Sequence, residues 1–147
     1  MKTASIIPIG CDHAGYTLKE KIMTQFTALG YSFKDYGCFS DKSIDYPDYG
    51  HPVANYIEEH PAHLGIVICG SGNGINMTVN KHQGVRSALC WTTEIASLAK
   101  QHNNANVLAL PSRFISEEEA LKMVEAFLTT DFEGGRHQRR VDKIGCQ

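Results

Sequence analysis

Residues 64–69, Leu-Gly-Ile-Val-Ile-Cys, run directly into Gly70-Ser71-Gly72-Asn73-Gly74. A stretch that is apolar on both of its faces cannot lie at a surface. It reads as a strand inside a parallel sheet covered on both sides. Parallel neighbours cannot be joined by tight hairpins, so the rest of the chain must supply crossover helices. It does so. Short β-rich runs at 5–9, 31–36, 85–90 and 106–110 alternate with helical spacings at 16–29, 48–59, 73–80, 92–101 and 117–129. Gly30 is a C-cap candidate, and Ser116 with Glu119 has the spacing of a capping box. In the second helix Val53, Ala54 and Ile57 share a face. In the fourth, Ile95, Leu98 and Ala99 are expected to point inward. The expected fold is α/β: a three-layer arrangement with a five-stranded parallel sheet and helices on both faces. The 147 residues suit a single domain, 1–147, with a C-terminal arm over about 131–147.

Composition narrows the function classes. Fourteen basic side chains face sixteen acidic ones, so no global positive field exists to hold nucleic acid or an anionic membrane. The apolar runs are too short to span a bilayer, and the N-terminal one is broken by Pro8 and Gly10. The cysteines, Cys11, Cys38, Cys69, Cys90 and Cys146, are odd in number and contain no C-x-x-C pair, which fits a reducing, cytoplasmic setting. The histidines are scattered, with no H-x-x-x-H pair beside an acid, so no metal is expected.

Ligands of open α/β sheets bind beyond the carboxyl ends of the strands. That rule singles out 10–15, 69–74, 91–94 and 111–114. The glycine loop after Cys69 lets backbone N–H groups approach an anion, and a helix start adds partial positive charge. Such a field favours a thiolate at Cys69; the bland alternative is a buried cysteine beside a tight turn. The loop is not a Walker loop, since no Gly-Lys-Ser/Thr follows, and Ile75 breaks both the G-x-G-x-x-G pattern and a cysteine-phosphatase loop. Asp12 and His13 follow the first strand and could move protons or hold sugar oxygens; they could equally be a cap and a surface histidine. Residues 101–106, Gln-His-Asn-Asn-Ala-Asn, are either a solvated loop or donors for a polyhydroxy ligand. Arg136 and Arg140, four apart on one helical face, suit a phosphate dianion or a solvated tail, and Arg113 lies at the sheet edge.

Taken together, Gly10-Cys11-Asp12-His13-Ala14-Gly15, Asp45-Tyr46-Pro47, Ile68-Cys69-Gly70-Ser71-Gly72-Asn73-Gly74, Asn80-Lys81, Gln101-His102-Asn103-Asn104-Ala105-Asn106-Val107, Ser112-Arg113 and the stretch from Glu133 to Val141 resemble the type B ribose-5-phosphate isomerase family, which includes galactose-6-phosphate and allose-6-phosphate isomerases. The resemblance implies cofactor-free interconversion of ribose 5-phosphate and ribulose 5-phosphate in the pentose phosphate pathway. It also implies a Rossmann-like fold and a homodimer, or a larger homo-oligomer, whose active sites are shared between subunits. It gives Cys69 the role of the base that moves a proton between C2 and C1, and His102 that of ring opening. Asp12 and Tyr46 then lie near ring oxygens. Gly70, Ser71, Gly72, Asn73 and Gly74 hold the enediolate, Asn103 binds hydroxyls, and His13, Arg113, Arg136 and Arg140 bind phosphate. Some members of the family carry a glutamate as base six residues after the loop cysteine's position. Ile75 stands there in this chain, which is similar to the cysteine branch. The rival readings are a phosphosugar-binding domain without catalysis, a cysteine phosphatase, and an isomerase of six-carbon phosphates.

Overall fold

The computed structural model describes residues 5–146. In chain order the elements are β1 (Ile6–Cys11), a 3₁₀ turn (His13–Gly15), α1 (Tyr16–Ala28), β2 (Ser32–Asp35), α2 (Pro47–Glu59), β3 (Gly65–Cys69), α3 (Asn73–Val79), β4 (Ser87–Leu89), α4 (Thr93–Asn103), β5 (Val107–Pro111), α5 (Glu117–Thr129) and α6 (Arg136–Asp142). The sheet is parallel throughout, in the order β2-β1-β3-β5-β4. The expected α/β architecture is thus the one observed, a Rossmann-like sheet of five strands between two helical layers.

The alternation along each strand assigns its two faces. Ile66 and Ile68 of β3, and Leu108 and Leu110 of β5, pack with α1, α4 and α5. Val67 and Cys69, with Val107 and Ala109, pack instead against α2 and α3 through Val53, Ile57, Ile75 and Val79. Successive side chains of a strand point to opposite faces, so a strand apolar at every position is what a sheet between two layers requires. β3 is fully buried along its length.

Several local expectations shift. β1 continues through Gly10 to Cys11 rather than stopping at Ile9, because Cys11 pairs with Ile68 and its N–H donates to the Gly37 carbonyl at 2.7 Å. Gly10 is required inside the strand: a Cβ there would collide with the Tyr49 carbonyl of α2. β4 is only three residues long; it lies at the edge and pairs with β5 alone. On α4 the buried residues are Ala96, Ala99 and Lys100, so Ala99 faces inward as expected, whereas Ile95 and Leu98 are half-buried. Gly30 does terminate α1, with φ +97° and its N–H on the Thr27 carbonyl. The capping box forms only by half. Ser116 Oγ accepts the Glu119 N–H at 3.0 Å, but Glu119 Oε1 turns away to accept from Thr93 N and Oγ1 at 2.9 and 3.1 Å, tying α5 to the start of α4.

Candidate active site

The carboxyl edge of the sheet opens into a cleft of about 440 Å³ lined by Asp12, Tyr46, Cys69, Gly70, Ser71, Gly74, Arg113 and Phe114. Three strands deliver these residues. Their ends are laced together by Ser112, whose Oγ donates to the carbonyls of Ala14 (2.8 Å) and Cys69 (3.2 Å), and whose N–H also donates to Cys69 O. The β1, β3 and β5 ends are therefore held as one rigid rim, which fixes where each cleft residue points.

Cys69 lies at the floor with 4% of its surface exposed. Gly70 follows, and the Arg113 guanidinium lies so close that a Cβ on Gly70 would sit 3.0 Å from its Nη1. The Arg113 N–H also donates to Gly70 O at 3.0 Å. Gly72 turns the chain at φ +75°, a left-handed conformation that glycine adopts without strain. The Ser71 hydroxyl accepts the Asn73 N–H at 3.2 Å. Gly74 and Ile75 then head α3, where a helix has no upstream carbonyls to accept their N–H groups. The hydroxyl end of the Tyr46 ring lies close against Gly74; an added Cβ would sit 2.5 Å from Cζ. Ile75 is fully buried against Gly50 and offers no proton acceptor.

Asp12 is 7% exposed, and one carboxylate oxygen caps the following turn by accepting from Ala14 N (2.9 Å) and Gly15 N (3.2 Å). His13 Nδ1 accepts the Ile44 N–H at 3.2 Å, so a neutral ring carries its proton on Nε2. His13 adjoins the cleft residue Asp12 but does not line the cleft.

The remaining site candidates lie elsewhere in the chain. His102 and Asn103 end α4, just before β5 begins, and so sit at the amino edge of the sheet, a strand length away from Cys69. Five residues of strand span roughly 16 Å. Arg136 and Arg140 are exposed on α6, which packs on α4. Asn103 lines a second cavity with Asn80, Lys81 and Arg86. The amide run 101–106 divides its work: Asn104 adopts a left-handed conformation to end α4, and the buried Asn106 side chain joins Arg86 N (2.7 Å) to Gly84 O (2.9 Å).

Folding also gathers side chains that no sequence spacing announced. The expectation of no metal-ligand set rested on linear spacing. His102, Glu133 and His137 nevertheless bring one ligand atom each within 4.8 Å of one another, with the two imidazoles stacked at 4.3 Å. Only α6 folding back onto α4 could reveal this. The bonds of Ser112 to Ala14 and Cys69, and of Glu119 to Thr93, likewise join elements that no local spacing relates.

An open parallel sheet with a cysteine, a glycine turn and an arginine lining a cleft at its carboxyl edge defines a doubly wound α/β protein, with the cleft where such sheets take their ligands. The model of the ribose/galactose isomerase family matches residues 7–144. The chain belongs to that family. Ribose-5-phosphate isomerase B of Escherichia coli is 41% identical over 138 residues, covering 94% of this chain and 93% of that protein. The crystal structure of a ribose 5-phosphate isomerase from Thermotoga maritima superposes with a TM-score of 0.93 at 44% identity, over 97% of this chain and 98% of that one. Ribose-5-phosphate isomerase B from Mycoplasma genitalium, solved with bound ribulose-5-phosphate, also gives 0.93, at 45% identity over 96% and 94% of the two chains. Among the described residues no helix is long and apolar enough to cross a membrane.

Proposed function

We propose that this protein interconverts D-ribose 5-phosphate and D-ribulose 5-phosphate, the aldose–ketose step of the pentose phosphate pathway, in the cytoplasm and without a cofactor. The observation that carries this reading is the Cys69 cleft. Its floor holds a thiol at a strand end, its wall is a glycine turn, and Arg113 lines it beside Gly70. It occurs in a chain 45% identical to a protein solved with ribulose-5-phosphate.

The chemistry needs a base for a weakly acidic C–H and donors for the oxygen that gains charge. In this reading Cys69 removes the C2 proton as a thiolate. The electron pair forms the C1–C2 double bond, and the aldehyde oxygen becomes the enediolate oxyanion. N–H groups of the 70–74 loop stabilise that oxyanion; because they are fixed beforehand, no reorganisation is needed as charge develops. Cys69 returns the proton to C1, and the O2 proton passes to O1, leaving the carbonyl at C2. Before this step His102 opens the furanose by moving the anomeric hydroxyl proton to the ring oxygen, with Asp12 and Tyr46 beside the ring. Asn103 binds hydroxyls. His13, Arg113, Arg136 and Arg140 hold the phosphate, so binding energy far from C2 positions the reacting carbons.

The separation of His102, Asn103, Arg136 and Arg140 from Cys69 within one chain supports a shared site. A homodimer in which each subunit lends this group to its partner's cleft brings all the roles together twice by symmetry.

The test is to incubate purified protein with ribose 5-phosphate in the presence of a chelator and follow ribulose 5-phosphate and free phosphate together. Ketose without free phosphate is expected, and Cys69→Ala should lose at least ~10³-fold in kcat while retaining ligand binding. Release of phosphate would instead identify a phosphatase. No product would turn attention to allose 6-phosphate and galactose 6-phosphate, and failure there to a binding role.

A further inference from the structure

His102 comes from the last turn of α4, Glu133 from the segment between α5 and α6, and His137 from the first turn of α6. The grouping is held by the backbone: the Glu133 N–H donates to the Gln101 carbonyl at 3.0 Å, next to His102, and the His137 N–H donates to Gly134 O at 3.0 Å. Glu133 Oε1 stands 3.5 Å from His137 Nε2 and 3.9 Å from His102 Nε2. Two imidazole nitrogens thus flank one carboxylate oxygen, with a net charge of −1 when both rings are neutral.

We propose that His102, Glu133 and His137 form a binding site for one zinc ion, and that zinc bound there blocks isomerisation by withdrawing His102 from ring opening. The first half rests on this geometry alone; the second rests on the functional reading above. The ligand types select the ion. Imidazole nitrogen with one carboxylate suits Zn²⁺, whereas Mg²⁺ and Ca²⁺ require mainly oxygen donors. Tetrahedral zinc, with bonds of ~2.0–2.1 Å, places its ligand atoms roughly 3.4 Å apart. The Glu133–His137 pair already has that spacing. The Glu133–His102 pair must close by about half an ångström, and the stacked rings must splay so that their lone pairs converge. The side chains have that freedom: His102 is 41% and Glu133 51% exposed, and the 13% exposed His137 is the fixed member. Water completes the shell at the open fourth position. Zinc binding and ring opening compete for the same nitrogen, so the two states exclude one another.

The experiment titrates the full chain with Zn²⁺ by calorimetry, in a Cys69→Ser, Cys146→Ser background that removes the cleft thiol and the exposed thiol. The expected result is one site per chain. Glu133→Gln and His137→Gln should each weaken it by about tenfold or more, while His82→Gln, in a separate histidine pair, leaves it unchanged. Equal affinity in Glu133→Gln, His137→Gln and their parent overturns the site. In chains that retain Cys69, zinc should inhibit ribulose 5-phosphate formation, with the His137→Gln variant about tenfold less sensitive relative to its own metal-free rate. Equal sensitivity would put the inhibitory zinc on Cys69 and overturn the second half. Zinc bound at the site in a chain that does not isomerise ribose 5-phosphate would overturn the inhibition and the functional reading while leaving the metal site standing.

Discussion

Replacing Gly72 by alanine tests the packing of the cleft loop directly. Gly72 has φ +75°, and a left-handed conformation costs an L-residue roughly 1–2 kcal/mol. The new methyl would also overlap Leu89 Cδ1 of β4 and lie 3.2 Å from the Leu110 carbonyl carbon and Pro111 nitrogen of β5. Two of these three atoms are backbone in the sheet and cannot yield cheaply, so overpacking adds ~1–3 kcal/mol. The sum is about 2–5 kcal/mol. For a chain of 147 residues, at ~4 °C per kcal/mol, that is a fall in Tm of roughly 8–20 °C. The control is Gly134→Ala, where φ is +67° but an added Cβ meets nothing within 4 Å. It should cost only the conformational part, roughly 4–8 °C. The assay is thermal unfolding by circular dichroism at one protein concentration, with urea midpoints as a check, because assembly would make Tm concentration-dependent. If Gly72→Ala melted within two or three degrees of Gly134→Ala, the close approach of the 70–74 loop to β4 and β5 would be refuted.

The shared site predicts complementation. Cys69→Ala and His102→Asn homodimers should each be inactive. Mixed to subunit exchange, half of the dimers become hybrids with one intact site, and activity returns to about a quarter of wild type; no recovery would refute a site that draws Cys69 and His102 from different subunits. Thiol reactivity should be ordered. Burial pushes the Cys90 thiol up to about 12 and that of Cys11 higher still, where Cys38 beside it adds to the effect. At pH 8 the buried Cys90 is held almost wholly as the thiol. Iodoacetamide followed by peptide mass mapping should therefore label the exposed Cys146 early, label Cys69 with protection by ribose 5-phosphate, and leave Cys11 and Cys90 intact; early labelling of Cys90 would contradict the packing. Acid stability should depend on Glu58. The Gly84 N–H at 3.0 Å, and then the His82 ring at 2.9 Å, hold its carboxyl below the usual carboxylate range. A depressed native pKa stabilises the fold above the unfolded pKa, and that contribution is lost as pH falls through the native one. Glu58→Gln should lower stability at pH 6 and flatten its decline between about pH 5 and 3 in urea titrations; an unchanged slope would remove Glu58 from the acid response.

How much was legible follows from where each signal lies. The strand that ends at Cys69, the glycine turn and the helix after it are consecutive, so their periodicity and turn chemistry appear in one window of sequence. The inward stripe of α2 was visible in the same way, as Val53, Ala54 and Ile57 are all fully buried. The inward face of α4 was less so: Ala96 replaces the larger Leu98 because α5 packs close, and a small residue at a helix–helix contact carries no hydrophobic signal of its own. Ser116 as a cap is local and was readable. The turn of Glu119 toward Thr93 was not, because its partner belongs to another helix.

The sequence by itself determined the α/β class, the number of strands, the buried core of β3 and the residue types available for chemistry. Each of these is written as a local period or a short motif. Only the tertiary structure decided the sheet order β2-β1-β3-β5-β4, the ring of Asp12, Tyr46 and Arg113 around Cys69, the removal of His102 to the opposite edge of the sheet, and its meeting with Glu133 and His137. Those outcomes depend on which distant faces bury each other. That choice is made by packing across the whole chain, and no spacing between neighbours records it.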